Sequence, residues 1–321
     1  MRNFVALGDS ITVGMGDPLP DGGWRGWAAL LAPAVGLELH NFAVSGALCA
    51  DVEREQLPRA LELRPDLAAV VVGVNDTLRR SFDVSRIGAA LAHSVGALSA
   101  AGATVLTMRL PDPGLMLRLP AALARPLSRR IQAVNAVADA VAVRFGTVHL
   151  DVARHPETYD RRMWSVDRLH PSERGHRLVA HEYATMLGVP PPTREPSSAA
   201  PTRRAQLGWM ATKGTRWVVD RSRDLVPYLV GMAAAEWWYG ARGVRYRLEA
   251  AADRETAVAL SELVAPAEGA SGSGAAPSGL RSVATREDGA DSAAKRADGA
   301  VRLGPWPDPM DAHLTSFDRL R

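Results

Sequence analysis

The sequence lacks most features that mark secreted or membrane-spanning proteins. Cys49 is the single cysteine among 321 residues, which excludes an intrachain disulfide and favours a reducing compartment. No uncharged apolar run approaches the roughly 18 residues that a membrane-spanning helix needs. The apolar run near the N terminus is also too short for the core of a signal peptide. These absences predict a cytoplasmic protein.

An excess of charge of one sign is also missing. The 38 Lys and Arg residues nearly balance the 35 Asp and Glu residues, so the net charge of +3 gives no reason to expect a nucleic-acid partner. No His-Glu-x-x-His motif, cysteine pair or Gly-Lys-Ser/Thr phosphate loop is present, and we expect neither a metal nor a cofactor. Glu173 and His176 are better explained by a solvated helix face than by a metal site.

Residues 1–188 alternate between short apolar runs and helical patterns, which is typical of an α/β domain. Near-continuous apolar strands separated by helices predict a parallel sheet covered on both faces, a three-layer α/β/α sandwich. In such a sheet the ligand crevice lies at the carboxyl ends of the strands. The predicted strands are Phe4–Leu7, Leu37–Phe42, Leu67–Val72, Thr104–Met108 and Val148–Val152. The predicted helices are Trp27–Val35, Val52–Leu63 with Pro58 as a candidate interruption, Val84–Ala101, Leu127–Phe145 and Ser172–Leu187.

The composition changes after residue 188. Residues 189–207 are rich in Pro and Ser and predict a linker, and residues 208–264 predict a Trp-rich, basic helical extension. Residues 265–321 hold too little apolar surface to offset chain entropy, so we expect a disordered tail. Residues 208–240 either lie on anionic lipid as an amphipathic helix or form a helical hairpin packed on the first domain or on a second copy. Scattered charges favour the hairpin.

Four short motifs carry candidate chemistry, and each alone has an ordinary structural explanation. A serine after a strand is usually a helix N-cap, a loop glycine is common, and an Asn or Asp often ends a strand in a turn. Together the motifs supply a nucleophile, a base, an orienting carboxylate and oxyanion donors at one sheet edge, which are the parts that acyl transfer needs. The motifs are Gly8-Asp9-Ser10, Val44-Ser45-Gly46, Gly73-Val74-Asn75-Asp76 and Asp167-Arg168-Leu169-His170-Pro171.

The spacing of the last motif suggests how its residues act. Asp167 and His170 are three residues apart on one loop, so Asp167 can accept a hydrogen bond from His170 Nδ1. His170 Nε2 then remains available to take a proton from a serine. Cys49 is a less suitable nucleophile, because a buried apolar role is commoner for a lone cysteine.

The four motifs resemble the four blocks of the SGNH (GDSL-like) hydrolase family over residues 1–188, with Ile11 where many members have leucine. The resemblance implies that Ser10 is the nucleophile, with Asp167 and His170 as its acid/base pair. It also implies an oxyanion hole formed by Ser10, Gly46 and Asn75, and a flavodoxin-like five-stranded sheet of order 2-1-3-4-5. Residues flanking these positions are expected to support the site; they are Asp9, Gly73 and Asp76.

The expected function is hydrolysis of carboxylic esters, either acyl esters or O-acetyl groups, through an acyl-enzyme. Two alternatives stay open: an acyltransferase that uses the same site, and a catalytically idle scaffold whose extension binds a membrane or a protein. Short or medium acyl esters are the first expectation for the substrate, although the family also cleaves thioesters and lysophospholipids. The loop at residues 111–120 either forms an apolar flap or packs on the core, and Tyr159 and Trp164 are candidates for lining the cleft.

Overall fold

A computed structural model of the protein describes residues 2–20, 22–196 and 229–264. Most of the predicted linker, residues 208–228 of the predicted extension and the predicted disordered tail at 265–321 lie outside these ranges. Among the helices of the described ranges, none combines the length and the hydrophobicity of a membrane-spanning segment.

Five parallel strands form the central sheet in the order β2-β1-β3-β4-β5. This confirms the predicted fold class and strand order. Every residue of the central strand β3 is buried, as expected for a strand covered by helices on both faces. The strand order reverses beside β1, so loops that follow neighbouring strands diverge there and leave a crevice. The strands are β1 Asn3–Gly8, β2 Glu38–Asn41, β3 Leu67–Val71, β4 Thr104–Arg109 and β5 Val148–Asp151.

Helices cover both faces of the sheet, and short helices follow several strand ends. The long helices are α2 Gly26–Val35, α6 Val84–Ala100, α8 Ala121–Phe145 and α9 Glu173–Met186. The short ones are α1 Ser10–Val13, α3 Cys49–Asp51, α4 Leu57–Glu62, α5 Val74–Thr77 and α7 Pro113–Met116. Helix α8 begins at Ala121, earlier than the predicted Leu127, and runs through Pro126.

Pro58 does not interrupt the helical segment between β2 and β3. Residues Val52–Gln56 form a π-helical turn between α3 and α4, and Pro58 lies in the first turn of α4. Proline has no N–H and its ring clashes with the carbonyl four residues earlier, so a widened turn before it relieves the clash. The same turn carries Gln56, whose amide donates to Gly8 O and accepts from Gly8 N at 2.9 and 2.8 Å. Gln56 therefore ties the end of β1 to the helical segment between β2 and β3.

Two further helices belong to the predicted helical extension: α10 at 229–241 and α11 Tyr246–Val264. Leu263 of α11 is buried and packs against Gly88 of α6. Glu236 of α10 is 1% exposed and accepts from Arg129 of α8 at 2.6 Å. A buried carboxylate without such a partner would be strongly destabilising, so the ion pair fixes α10 against α8.

Candidate active site

Ser10 lies where β1 turns into α1. It is the first residue of α1, it is 9% exposed, and Asp9 caps the helix by accepting from Ile11 N at 3.0 Å. Gly8 precedes this turn with φ +153°, and a Cβ at this position would lie 2.2 Å from Val71 O. Only glycine allows β1 and β3 to approach this closely at the sheet edge.

His170 and Asp167 reach Ser10 from the loop before α9. His170 Nε2 lies 2.9 Å from Ser10 Oγ, and His170 Nδ1 lies 2.7 Å from Asp167 Oδ2. An ionised carboxylate can only accept hydrogen bonds, so Nδ1 carries the proton and Nε2 presents its lone pair to the serine hydroxyl. The structure thus brings Ser10 together with a pair of residues that lies about 160 positions later in the chain.

Asp167 is held as a carboxylate by the shape of its loop. Burial alone would raise its pKa, but the hydrogen bond and charge of His170, together with donation from Ser165 Oγ and Leu169 N, lower it to about 2. Arg168 has φ +55°, an unusual conformation for a residue with a side chain. This turn lets successive backbone N–H groups of the loop point at one carboxylate.

Asn75 lies beside Ser10, and Gly46 belongs to the loop that Asn75 contacts. Asn75 is buried in α5, and its Nδ2 donates to Asp9 Oδ2 at 3.2 Å and to Ala47 O at 3.1 Å. Gly46 directly precedes Ala47 and has φ +84°, which favours glycine. Asn75 therefore ties the nucleophile turn to the loop after β2.

The three residues expected to support the site each fix part of this arrangement. Asp76 accepts from Cys49 N at 3.2 Å and so anchors α5 to the helix that follows Gly46. Gly73 has φ +134°, and a Cβ there would lie 2.8 Å from Val134 Cγ1. Burial raises the pKa of Asp9 and of Asp76 to about 6. The backbone hydrogen bond that each carboxylate accepts lowers its pKa but does not offset the effect of burial.

His176 is a site-organising residue that the sequence analysis missed. The expected solvated helix face is wrong at this position, because α9 packs its His176 side against α2 and leaves the side chain fully buried. His176 Nδ1 accepts from Trp27 N at 3.2 Å and Nε2 donates to Met15 O at 3.0 Å. Burial lowers its pKa to about 4, so the ring is neutral. Both nitrogens hold the segment after α1 close to α9.

A second close contact joins the segment after α1 to the loop that carries Asp167 and His170, here called the base loop. Gly16 has φ +99°, and a Cβ there would lie 2.0 Å from Pro171 O and 3.4 Å from His170 Cβ. Glu173 pairs with Arg25 and Arg177 at 2.8 and 2.9 Å. Within the described ranges, no group of three or more His, Cys, Asp and Glu side chains is placed to hold a metal ion.

The loops expected to line a cleft differ in what they contact. In the loop at 111–120, Met116 is buried while Leu115 is 57% exposed, so part of the loop packs inward on α8. Tyr159 OH accepts from Asp112 N at 3.2 Å, and Trp164 Nε1 donates to Thr158 O. The cleft that adjoins Ser10 is lined by other residues, namely Asp9, Ser10, Ile11, Val74, Asn75, Leu78 and Leu169.

Residues 6–178 match the model of the GDSL-like Lipase/Acylhydrolase family, which is more than half of the 321 residues. The chain belongs to this family. The family resemblance seen in the sequence is therefore confirmed, and this GDSL-like chain is placed among ester hydrolases. No protein in a search of curated proteins matches it.

Several solved structures are similar to this GDSL-like chain. The lipase/acylhydrolase from Enterococcus faecalis is 22% identical, with 60% of this chain and 100% of that chain covered and a TM-score of 0.46. TesA is 25% identical, with coverage of 58% and 98% and a TM-score of 0.45. A catalytic mutant of an acetylxylan esterase from Geobacillus stearothermophilus is 18% identical, with coverage of 61% and 97% and a TM-score of 0.48.

Proposed function

We propose that this protein hydrolyses carboxylic esters with Ser10 as nucleophile, His170 as general acid/base and Asp167 as the residue that orients and charges the base. One observation carries the proposal: His170 Nε2 lies 2.9 Å from Ser10 Oγ while Nδ1 is held 2.7 Å from Asp167. A serine hydroxyl is a weak nucleophile at neutral pH, and this hydrogen bond supplies the base that it requires.

The geometry supports a two-step reaction. Ser10 Oγ attacks the ester carbonyl carbon as its proton passes to His170 Nε2, and the carbonyl oxygen becomes an oxyanion. Collapse of this intermediate breaks the bond to the alcohol oxygen, which takes the proton from His170 and leaves an acyl group on Ser10. Water then attacks the acyl group with His170 as base, which releases the carboxylic acid and restores the serine.

The proposed oxyanion donors are Ser10 N–H, Gly46 N–H and the side-chain amide of Asn75. Asn75 lines the same cleft as Ser10, and Gly46 directly precedes Ala47, whose carbonyl accepts from Asn75, so the three donors come from segments close to the nucleophile. Both Nδ2 hydrogens of Asn75 are engaged by Asp9 Oδ2 and Ala47 O in the structure. Donation to the oxyanion therefore requires Asn75 to exchange or share one of these bonds when the intermediate forms.

Reaction with a fluorophosphonate tests the nucleophile directly. We expect the full chain to gain the mass of one phosphonyl group on the peptide that contains Ser10, and to hydrolyse p-nitrophenyl acetate. The S10A variant should lose both properties. Ser45→Ala is the matched control, because Ser45 is an exposed serine in the neighbouring loop. Wild-type protein that is folded but neither labelled nor active would favour the scaffold alternative and overturn the proposal.

A further inference from the structure

Helix α10 turns an apolar, uncharged face away from the rest of the fold. The residues of this face recur at helical spacing and are all exposed, so they share one side of the helix, here called the outer face. They are Val230, Ala234, Trp237, Trp238 and Ala241. Tryptophan is largely buried in most proteins, whereas Trp237 is 71% exposed and Trp238 is 44% exposed. An exposed apolar patch of this kind indicates a contact surface.

The opposite side of α10 holds the helix on the domain. Glu236 lies on this side, where it accepts from Arg129 of α8 at 2.6 Å and pairs with Arg245 at 3.1 Å. Glu236 is also the only charged residue between residues 229 and 241. Because this one charge is buried, the outer face carries none. The scattered charges expected of the extension are therefore absent from the part of α10 that meets solvent.

Exposed arginines follow the outer face where α10 ends. Arg242 and Arg247 are both exposed, and the exposed Tyr246 lies between them in the chain. The Arg242 guanidinium lies over the Trp238 ring, 3.6 Å from its centre, so the positive charge adjoins the aromatic pair directly. From residue 229 to residue 248, Glu236 is the only acidic residue. No exposed carboxylate of this segment therefore offsets the two arginines.

This combination fits a lipid surface. Tryptophan and tyrosine favour the boundary between headgroups and hydrocarbon, and arginine keeps its stem in the apolar layer while its charge meets anionic headgroups. A second copy of the chain would instead bring two identical faces together, and neither contains a carboxylate for the arginines. We propose that the outer face of α10, with Arg242 and Arg247, is a contact site for an anionic lipid surface, on which the protein lies without crossing it.

Co-sedimentation of the full chain with vesicles tests the inference. We expect the protein to pellet with phosphatidylcholine vesicles that contain about one quarter phosphatidylserine, and to bind phosphatidylcholine alone at least about fivefold more weakly. Added NaCl should weaken binding to the anionic vesicles, because it screens the arginines. Equal binding to both compositions would contradict the role of the arginines. The absence of binding to either composition would overturn the proposal.

A substitution within the outer face shows whether α10 makes the contact. Trp237→Ala should lower the partition coefficient for the anionic vesicles by at least about tenfold, since the apolar area that enters the interface decreases. W237Y should retain more of the binding, because tyrosine also favours the interface. The control is V143A, which alters an exposed apolar residue of α8. Equal binding by W237A and the wild-type protein would place the contact elsewhere and overturn the proposal.

A matched pair of arginine variants tests the charge. R247Q should bind the anionic vesicles about fivefold more weakly than the wild-type protein does. R2Q is the control, because Arg2 is an exposed arginine that precedes β1. Circular dichroism should show the wild-type spectrum for every variant, since each substituted side chain is exposed. Equal binding by R247Q and R2Q would show that Arg247 does not contact the lipid.

Two further measurements separate the inference from its alternatives. Sedimentation velocity measures self-association: a dimer that W237A converts to a monomer, without any vesicle binding, would assign the outer face to a second copy and overturn the proposal. The S10A variant should bind the anionic vesicles as the wild-type protein does. Lipid binding by this variant keeps the inference independent of the proposed ester hydrolysis.

Discussion

Asp167 and Asp9 both lie close to Ser10, and their surroundings give the same residue type different pKa values. Asp167 accepts from Ser165 Oγ, Leu169 N, His170 N and His170 Nδ1. Asp9 accepts from Ile11 N and Asn75 Nδ2. Burial opposes ionisation of both, but only the larger set of donors around Asp167 overcomes it, so its pKa is about 2 while the pKa of Asp9 is about 6.

The depth of burial and the number of donors that a loop supplies, and not the identity of the residue, therefore set the pKa of a carboxyl group here. The base side of the site keeps a permanent negative charge that can stabilise a protonated His170. The carboxyl groups on the donor side of the site, where Asn75 lies, have pKa values of about 6, so they are mostly ionised at pH 7 but take up a proton more readily than Asp167 does.

Removal of the charge on the base side should have the largest effect. Asp167→Asn keeps the size of the side chain but allows an amide N–H to face His170 Nδ1, which favours the wrong tautomer. We expect kcat for p-nitrophenyl acetate to fall by about 10⁴-fold with an unchanged circular dichroism spectrum. A loss below about tenfold would show that Asp167 does not orient the base.

A substitution on the donor side should have a smaller effect. Asn75→Ala removes the proposed side-chain oxyanion donor, and kcat should fall by roughly 10²–10³-fold with little change in KM. Steady-state kinetics with the acetate ester measure both constants. A change confined to KM would contradict the oxyanion role, because a donor that acts in the transition state alters kcat.

The pH dependence of the unfolding free energy tests the burial of His176. Its pKa is about 4 in the folded protein and near 6.5 when unfolded, so unfolding takes up a proton between these values and stability falls as pH falls through this window. Replacement by glutamine should remove up to about 3 kcal/mol of this pH dependence, measured by urea unfolding from pH 7.5 to 4. Equal slopes for H176Q and the wild-type protein would show that His176 does not contribute to this pH dependence.

Asp9 should contribute a pH dependence of opposite sign and slightly smaller size. Its folded pKa of about 6 exceeds the unfolded value near 3.9, so the folded state retains a proton and its stabilisation is lost as pH rises through this range. Relative to Asp9→Asn, the wild-type protein should lose about 2 to 3 kcal/mol of stability between pH 4 and pH 6.5. Equal slopes for the two proteins would show that Asp9 is not buried as described.

Local patterns were sufficient for part of the fold and of the site. Segments of strand length predicted all five strands, and the signal was clearest for β3, because a strand buried on both faces has few polar positions. Short spacing predicted that Asp167 can contact His170, since three residues on one turn keep side chains within reach. The bounds of α8 and the path through Pro58 were less accessible, because α8 continues through Pro126 and a widened turn before Pro58 accommodates its ring.

The order of amino acids along the chain thus determined the fold class, the strands and the four motifs, because these depend on period and near-neighbour spacing. Only the tertiary structure decided that His176 is buried, that Asn75 ties the nucleophile turn to the loop after β2, and which residues line the cleft beside Ser10. These properties depend on which surfaces of distant segments meet. No local pattern contains that information, since the same helix face can meet water or another helix.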